Sequence, residues 1–362
     1  MYITCDKKDF VSALKIASRA VSNKSTVDML KNVLINASSS GEVEIAANNM
    51  ELAISTMMDA HVLETGSIAI EAKTLGDIVN KLPNGEISLE TPSTGQVNIR
   101  SGSVKFTIAG QDPEGFNGLP AENNGVKIKV SAEDFCYAVS KTAFCASPKN
   151  DANPMMTGVF VKTKGNEMSF TAVDNHRIAI RKIFLDDEYP EVKAIIPAQT
   201  LSEVSKILTS GDVEVSFESN NVIFRFDSTL ANSRVISGEY FKIDQILNVN
   251  PETRITVDGR RVLDAASRTT VFPSERKPMI ATISDEVMNF ELKTTLGGVS
   301  EDIGISKEGQ DIRIGLNPRF VIDAVAAADD DEITMYFINP KSPVTIKNDD
   351  ETYCYVILPV NI

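Results

Sequence analysis

The residue types that most often carry catalysis are sparse in this chain and stand far apart. Neither of its two histidines, His61 and His176, has a grouping of cysteines or carboxylates at metal-site spacing nearby. The chain has no GxxxxGK[ST] phosphate loop and no GxSxG elbow, and the pair Gly297-Gly298 stands alone. Since no nucleophile–base pair can be assembled, we expect no catalytic site, no metal and no cofactor.

One acidic run leaves an enzymatic interpretation open. Asp329, Asp330, Asp331 and Glu332 are consecutive and could bind a cation, as in a metal-dependent nuclease. The alternative is a solvated helix end, although four acids at a helix C-terminus are locally unfavourable. A nuclease assay with added metal separates the two.

Composition describes a soluble globular protein. The 362 residues are 42% hydrophobic and 24% charged, with no apolar run long enough to span a membrane. The N-terminus lacks an apolar signal core, so a cytoplasmic location is expected. The cysteines form no CxxC and are interpreted as buried thiols. They are Cys5, Cys136, Cys145 and Cys354.

A strand–cap–helix unit occurs three times. Residues 3–21, 128–142 and 255–269 each begin as an alternating strand and continue with apolar residues at helical spacing. Their starts lie 125 and 127 residues apart, close to a third of the chain. Such a period across the whole sequence indicates three repeated domains.

A second unit supports the first. Strand, turn and helix follow one another at 68–82, 194–208 and 312–325, and alternating strands and hairpins fill the rest. The predicted fold class is therefore α+β, with two helices on mostly antiparallel sheet in each domain. The predicted boundaries, at linkers rich in Pro, Gly or Asn, give domains 1–124, 125–249 and 250–362.

Charge is divided unevenly between these elements. The net charge of −14 taken alone argues against nucleic acid. However, the six helical segments with their flanks carry +8, which leaves −22 on the remaining residues. Lys15 and Arg19 share a face opposite Phe10 and Leu14. An acidic protein with basic helices can bind phosphates if those helices face one way.

Three motifs together resemble one family. VDNHRIAIR at 173–181, IRIGLNPRFVIDAV at 312–325 and YVILPVNI at 355–362, with the threefold repeat, are similar to bacterial DNA polymerase III β subunits, the replicative sliding clamps. The resemblance covers essentially the whole chain, in order.

The resemblance implies a homodimeric ring of two head-to-tail subunits with helices inside and sheets outside. Duplex DNA would pass through without base-specific contact. The ring would tether the polymerase III α subunit, other polymerases and repair proteins through short linear peptides, and a clamp loader would open it. The role is that of a processivity subunit of the holoenzyme, with no catalytic site and no membrane contact.

The resemblance and the charge pattern also assign candidate residues. Candidate DNA contacts are Lys8, Lys15, Arg19, Lys24, Lys141, Asn150, Arg268 and Arg276. The implied peptide pocket contains Met156, Val173, Asn175, His176, Arg177, Ile178, Phe241, Ile246, Val344, Leu358, Pro359 and Val360. The implied dimer interface sets Lys73, Ile78, Arg100, Lys105, Phe106 and Ile108 against Val271, Phe272, Glu301 and Asp302 of the other copy.

Tyr355 and Ile357 are expected to finish a core, whereas Leu358 and Val360 are expected to border a groove. In the pocket, Asn175 stands where the family usually has glycine.

A different class of function remains open on residues alone. A repeat-built scaffold that binds a surface or a carbohydrate would also show three similar domains. The absence of a signal peptide and of aromatic clusters, with no tryptophan, counts against it.

Overall fold

The computed structural model describes the chain apart from residues 23–24, 94, 117, 119–124, 149–151, 248–249 and 273–276, and apart from the side chains of 244 and 245. The α-helices of the described residues are α1 (Lys7–Ala17), α2 (Ala72–Lys81), α3 (Ala132–Ser140), α4 (Ala198–Ser205), α5 (Asp244–Leu247), α6 (Gly259–Thr269) and α7 (Pro318–Ala328). Short 3-10 helices lie at Ser18–Ala20, Asp28–Lys31, Ala143–Cys145 and Pro154–Thr157. None of these helices has the length and apolarity that a membrane span requires.

The chain forms two compact units, and the first contains residues 1–132 and 203–235. Its five-stranded sheet has the order β5-β1-β7-β8-β9, and its eight-stranded sheet has the order β10-β13-β14-β15-β4-β3-β2-β6. The strands from the first third are β1 (Tyr2–Asp6), β2 (Asn32–Ala37), β3 (Glu42–Asn48), β4 (Leu52–Asp59), β5 (His61–Glu64), β6 (Gly66–Glu71), β7 (Glu86–Ser93), β8 (Gln96–Ser101) and β9 (Val104–Ala109). The others are β10 (Val126–Ser131), β13 (Asp212–Phe217), β14 (Asn221–Phe226) and β15 (Thr229–Arg234).

The second unit contains residues 133–202 and 236–362. Its seven-stranded sheet has the order β11-β12-β24-β23-β22-β16-β20, and its four-stranded sheet has the order β19-β18-β17-β21. The long strands are β11 (Gly158–Val173) and β12 (Arg177–Pro197). The remaining strands are β16 (Thr253–Asp258), β17 (Met279–Ser284), β18 (Val287–Thr294), β19 (Gly297–Gly304), β20 (Ser306–Gly309), β21 (Ile312–Leu316), β22 (Glu332–Phe337), β23 (Val344–Lys347) and β24 (Tyr353–Ile357).

Local signals in the sequence explain the helix starts. Asp6 accepts a hydrogen bond from the Lys8 amide at 2.7 Å, and Asp258 accepts one from Arg261 at 2.9 Å, so each caps its helix. Asn317 caps α7 in the same way, with Pro318 in the first turn. The helices predicted from the repeats, and the alternating strands beside them, are confirmed.

Every strand pair within the four sheets is antiparallel, and the larger two sheets join neighbouring repeats. β4 of the first third pairs with β15 of the second, and β12 of the second third pairs with β24 of the last. The α+β class is therefore confirmed, while the boundaries near 124 and 249 stay a prediction.

Candidate functional site

The β11–β12 turn, residues Asp174 to Arg177, organises the candidate pocket in the second unit. One carboxylate oxygen of Asp174 accepts from the amides of His176 at 2.7 Å and Arg177 at 2.9 Å. The Arg177 Nε donates to the other oxygen at 3.1 Å. Asn175, at the exposed tip, does not have a positive φ, so the turn does not require the glycine usual in the family.

Arg177 ties this turn to α7 and to the 3-10 helix near residue 144. Its guanidinium donates to Asp323 Oδ2 at 2.5 Å and to the Phe144 carbonyl at 3.1 Å, and lies 4.5 Å from the Phe320 ring centroid. Burial alone would lower the pKa of Arg177, but hydrogen bonds to Asp323 and Asp174 outweigh it and raise the pKa. The residue is thus a fixed cation that positions the turn.

Arg177→Ala is expected to lower the free energy of unfolding by about 3 kcal/mol, since several charge-assisted hydrogen bonds are lost from a mostly buried group. Its side chain is only 14% exposed. Thermal or urea unfolding measures this, with Arg319→Ala as control because Arg319 is an exposed arginine on the same α7. Equal stability of the two variants would contradict the positioning role.

An apolar cluster lies beneath the turn. Val173, Ile178, Ile180 and Val356 are buried together, and linker residues pack against them. These linker residues, from the segment between β15 and β16, are Tyr240, Phe241, Ile243 and Leu247. Together these residues give the pocket an apolar floor.

The linker is anchored by aromatic contacts. Tyr240 stacks on Phe160 with centroids 4.9 Å apart, meets Phe241 edge-on at 5.1 Å and donates to the Thr171 carbonyl at 3.1 Å. Burial raises the pKa of Tyr240, so the hydroxyl stays a donor. Phe241 therefore packs against the apolar cluster, and its place in a peptide pocket stays a prediction.

The C-terminal segment forms an edge of this site. The Leu358 amide donates to the His176 carbonyl, and the Val360 amide donates to the Gly315 carbonyl, both at 2.8 Å. Their side chains remain open, with Leu358 40% and Val360 38% exposed. Tyr355 and Ile357 are core residues, each 1% exposed, which confirms that prediction.

The other predicted pocket residues occupy different positions. Ile246 is 41% exposed on α5, and Met156 and Pro359 are half-buried. Val344 is fully buried on β23 opposite Ile357, which corrects its assignment: it backs the site from inside the sheet and cannot face a ligand.

Sequence reasoning missed the contribution of α7. The His176 ring stacks on Phe320 with centroids 5.9 Å apart, and Asp323 holds Arg177. Phe320 and Asp323 lie in the motif 312–325, but no local pattern shows that their side chains reach the turn. Cys145 was also missed; its thiol lies 3.5 Å from the Arg177 carbonyl, and burial raises its pKa to about 12.

The candidate DNA contacts differ in how free their charges are. Lys8 and Lys15 are exposed on α1, whereas Arg19 forms an ion pair with Glu203 at 3.2 Å. The Lys141 ammonium lies 2.9 Å from Asp329, and its side chain is 14% exposed. Lys24, Asn150 and Arg276 lie outside the described residues.

Arg268 links two of the predicted sets. Its Nη1 lies 2.8 and 2.9 Å from the two carboxylate oxygens of Glu301, a predicted interface residue on β19. Asp302 accepts from Asn289 at 2.7 Å. Within a single chain these two carboxylates are therefore already hydrogen-bonded.

One predicted interface patch lies on an edge strand of the first unit. Among the described strands β9 pairs only with β8, and Phe106 and Ile108 on it are half-buried. Lys73, Arg100 and Lys105 are exposed, whereas Ile78 is only 9% exposed and belongs to the core of its own unit. That burial corrects the expectation that Ile78 faces a partner.

The other predicted patch lies beside an edge strand of the second unit. β19 pairs only with β18 among the described strands, and Val271 is 72% exposed. The Phe272 ring packs so closely on Gly297 that a Cβ there would approach it to 3.0 Å. Leu296, 75% exposed in the preceding turn, was missed because an isolated leucine in a hairpin carries no pattern.

The acidic run does not form a cation site. Asp329 pairs with Lys141, and Asp330 accepts from the Tyr353 hydroxyl at 2.6 Å. No group of three metal-ligating side chains occurs in the part of the chain that the structure describes. The run follows the last turn of α7, and its first two carboxylates make contacts within the fold.

Comparisons with known proteins cover the chain from end to end. Family models of the N-terminal, central and C-terminal domains of the DNA polymerase III beta subunit match residues 1–120, 129–242 and 244–361. A beta sliding clamp of Staphylococcus epidermidis is 29% identical over 99% of both chains. A crystal structure of a DNA polymerase III beta subunit from Eubacterium rectale has a TM-score of 0.96 at 36% identity, covering 100% of this chain and 99% of that one. The Bacillus subtilis clamp structure gives 0.95 at 27% identity, with the same coverage.

Proposed function

Because the chain belongs to the DNA polymerase III beta subunit family, the bacterial replicative sliding clamps, we propose that two copies close head to tail around duplex DNA. The protein is a replicative sliding clamp and a processivity subunit rather than a catalytic one. Three domain matches in order carry this conclusion, and they remove the basis for a scaffold without a DNA role.

The proposed peptide site is the apolar cluster with its open edge. Leu358, Val360 and Ile246 each expose apolar surface. The Leu358 amide is hydrogen-bonded to the His176 carbonyl, two residues before the buried Ile178. Leu247, the neighbour of Ile246, packs against the cluster that contains Ile178. Such a surface accepts a short extended peptide with two or three apolar anchors. The polymerase III α subunit, the clamp loader, and other polymerases and repair proteins are the proposed partners, each bound through such a peptide.

The proposed dimer contact joins the β9 edge of one copy to the β19 edge of the other. Each edge combines unpaired main chain with apolar side chains, Phe106 and Ile108 on one and Val271, Phe272 and Leu296 on or beside the other. Because the two patches differ and lie on different units, the association is head to tail and closes with two equivalent contacts.

The proposed DNA contact is electrostatic and uses exposed lysines of α1. Contacts to phosphate position a protein without reading sequence, which suits a protein that must slide. Lys8 and Lys15 are the best supported because they are exposed and the structure shows no side-chain ion pair for either among its described residues. Arg19, Lys141 and Arg268 are weaker candidates since each already pairs with a carboxylate.

Lys8→Glu/Lys15→Glu is expected to weaken DNA binding at every sequence and to make its salt dependence shallower. Each lost phosphate contact removes about 0.9 from the slope of log K against log salt. Fluorescence anisotropy of labelled duplex at several salt concentrations measures this. Lys164→Glu, an exposed lysine on β11, is the control; the proposal fails if that change has the same effect or if binding depends on sequence.

A further inference from the structure

The internal repeat places a second cleft at the position that corresponds to the proposed peptide site. In the second unit, β12 pairs with β24 so that Ile178 lies opposite Val356. In the first unit, β4 pairs with β15 so that Ala53 lies opposite Asn232. Ile178 follows Ala53 by 125 residues, and Val356 follows Asn232 by 124 residues. Both separations are close to the period of the sequence repeat.

The turns beside these strands correspond as well. In the second unit the Leu358 amide donates to the His176 carbonyl at 2.8 Å. In the first, the Arg234 amide donates to the Glu51 carbonyl at 2.9 Å. The acceptors Glu51 and His176 are 125 residues apart, and the donors Arg234 and Leu358 are 124 residues apart. The same main-chain hydrogen bond therefore occurs in both units, where it joins the end of the last strand to the turn.

The first-unit position holds a cleft of about 270 Å³. Its lining includes Asn48, Met50, Glu51, Ala53, Asn232 and Arg234. This cleft is more polar than the corresponding site of the second unit. Asn48, Ala53 and Asn232 occupy the positions that correspond to Val173, Ile178 and Val356.

Asn232 is the decisive residue of this cleft. It is 3% exposed, and its Nδ2 has no hydrogen-bond partner. A buried amide donor is almost always satisfied in a folded protein, and leaving one unpaired is unfavourable. A donor of this kind that lines a cleft is suited to an acceptor from a ligand.

The charged side chains of the cleft indicate which chemical group of a ligand fits it. Arg234 and Glu51 are both exposed, and neither side chain forms an ion pair among the described residues. A carboxamide can accept from Asn232 or Arg234 and donate to Glu51 at once. A carboxylate offers no donor to Glu51, and for any anion the repulsion from Glu51 offsets the attraction to Arg234.

We propose that this cleft is a second, polar peptide site that binds a side-chain carboxamide of an extended protein segment. It goes beyond the apolar site proposed above, which serves only to mark the corresponding position. The two sites share no residue, so each can fail without the other.

The test uses the full-length protein with ¹⁵N-labelled asparagine side chains and three capped amino acids of similar shape. N-acetylasparagine amide is expected to shift the Asn232 side-chain resonance saturably at millimolar concentration. The capped aspartate and leucine analogues should bind at least roughly fivefold more weakly, because the aspartate side chain lacks the donor and the leucine side chain lacks both the donor and the acceptor. Tighter binding of inorganic phosphate than of the carboxamide would overturn the proposal in favour of an anion site.

Variants separate binding from folding. Asn232→Leu, labelled with ¹⁵N throughout and read at the Met50 backbone amide, should abolish the shift that uniformly labelled native protein shows at that amide, while the protein melts as before. If that variant unfolds, Glu51→Gln provides the test, because it should remove the preference for the asparagine over the aspartate analogue. Leu358→Ala/Val360→Ala should bind the probe unchanged. Absence of a saturable shift in the native protein, or an unchanged preference in Glu51→Gln, would overturn the proposal.

Discussion

Phe106→Asp is expected to convert the protein from dimer to monomer at low micromolar concentration. Phe106 lies half-buried on β9, an edge strand whose free side is proposed to meet the partner. A charge buried in an apolar contact without a partner costs about 4 kcal/mol, roughly a thousandfold in affinity. A closed head-to-tail dimer contains this contact twice, so the substitution weakens both interfaces of the ring at once.

Sedimentation velocity distinguishes the monomer from the dimer by their sedimentation coefficients. Leu63→Asp is the matched control, since Leu63 is 51% exposed on β5, the opposite edge of the same sheet. That variant should remain dimeric. A dimeric Phe106→Asp, or monomers from both variants, would mean that the interface is assigned to the wrong edge.

The second large effect is on peptide binding. Leu358→Ala/Val360→Ala should weaken binding of a peptide from the polymerase α subunit by about 3 kcal/mol, roughly a hundredfold, because two apolar anchoring surfaces are removed. The fold should persist, since this segment is held by its main-chain amides, which donate to His176 and Gly315. Fluorescence polarisation with a labelled peptide gives the affinity.

A matched control separates this effect from a general loss of surface. Val287→Ala removes the same side chain at the same 38% exposure as Val360, on β18 of the four-stranded sheet. Its affinity should equal that of the native protein. Undiminished binding by the double variant would move the peptide site away from the C-terminal segment. Deleting 358–362 is less clean, because it also removes both main-chain hydrogen bonds.

Much of the fold was predictable because its signals are local. Asp6 and Asp258 cap helices, and alternation marks short strands such as β10 and β23. The same patterns recur about 125 residues apart, so the threefold repeat was visible without any structure.

What could not be predicted depends on contacts distant in sequence. β12 runs through the polar stretch Asp186 to Glu188, which does not alternate as a strand should. No local pattern shows that β4 pairs with β15. Leu296 was missed for a different reason, because an isolated exposed leucine in a hairpin follows no pattern.

Within the site, residue types were easier to identify than their roles. Leu358 and Val360 were expected at a groove edge and are exposed, whereas Val344 has the same apolar character and is core. An alternating strand leaves open which of its faces is covered. The contacts of Arg177 with Asp323 and Phe144 needed coordinates, because they join segments far apart in the chain.

The most direct test is retention on circular DNA. Labelled protein is loaded onto a nicked plasmid by the clamp loader and ATP, passed through a sizing column at high salt, and passed again after a restriction cut. The protein should elute with the circle and be lost from the linear molecule, because only topology holds it when phosphate contacts are screened. Equal retention on circular and linear DNA, or none on the circle while the loader hydrolyses ATP, would contradict encirclement.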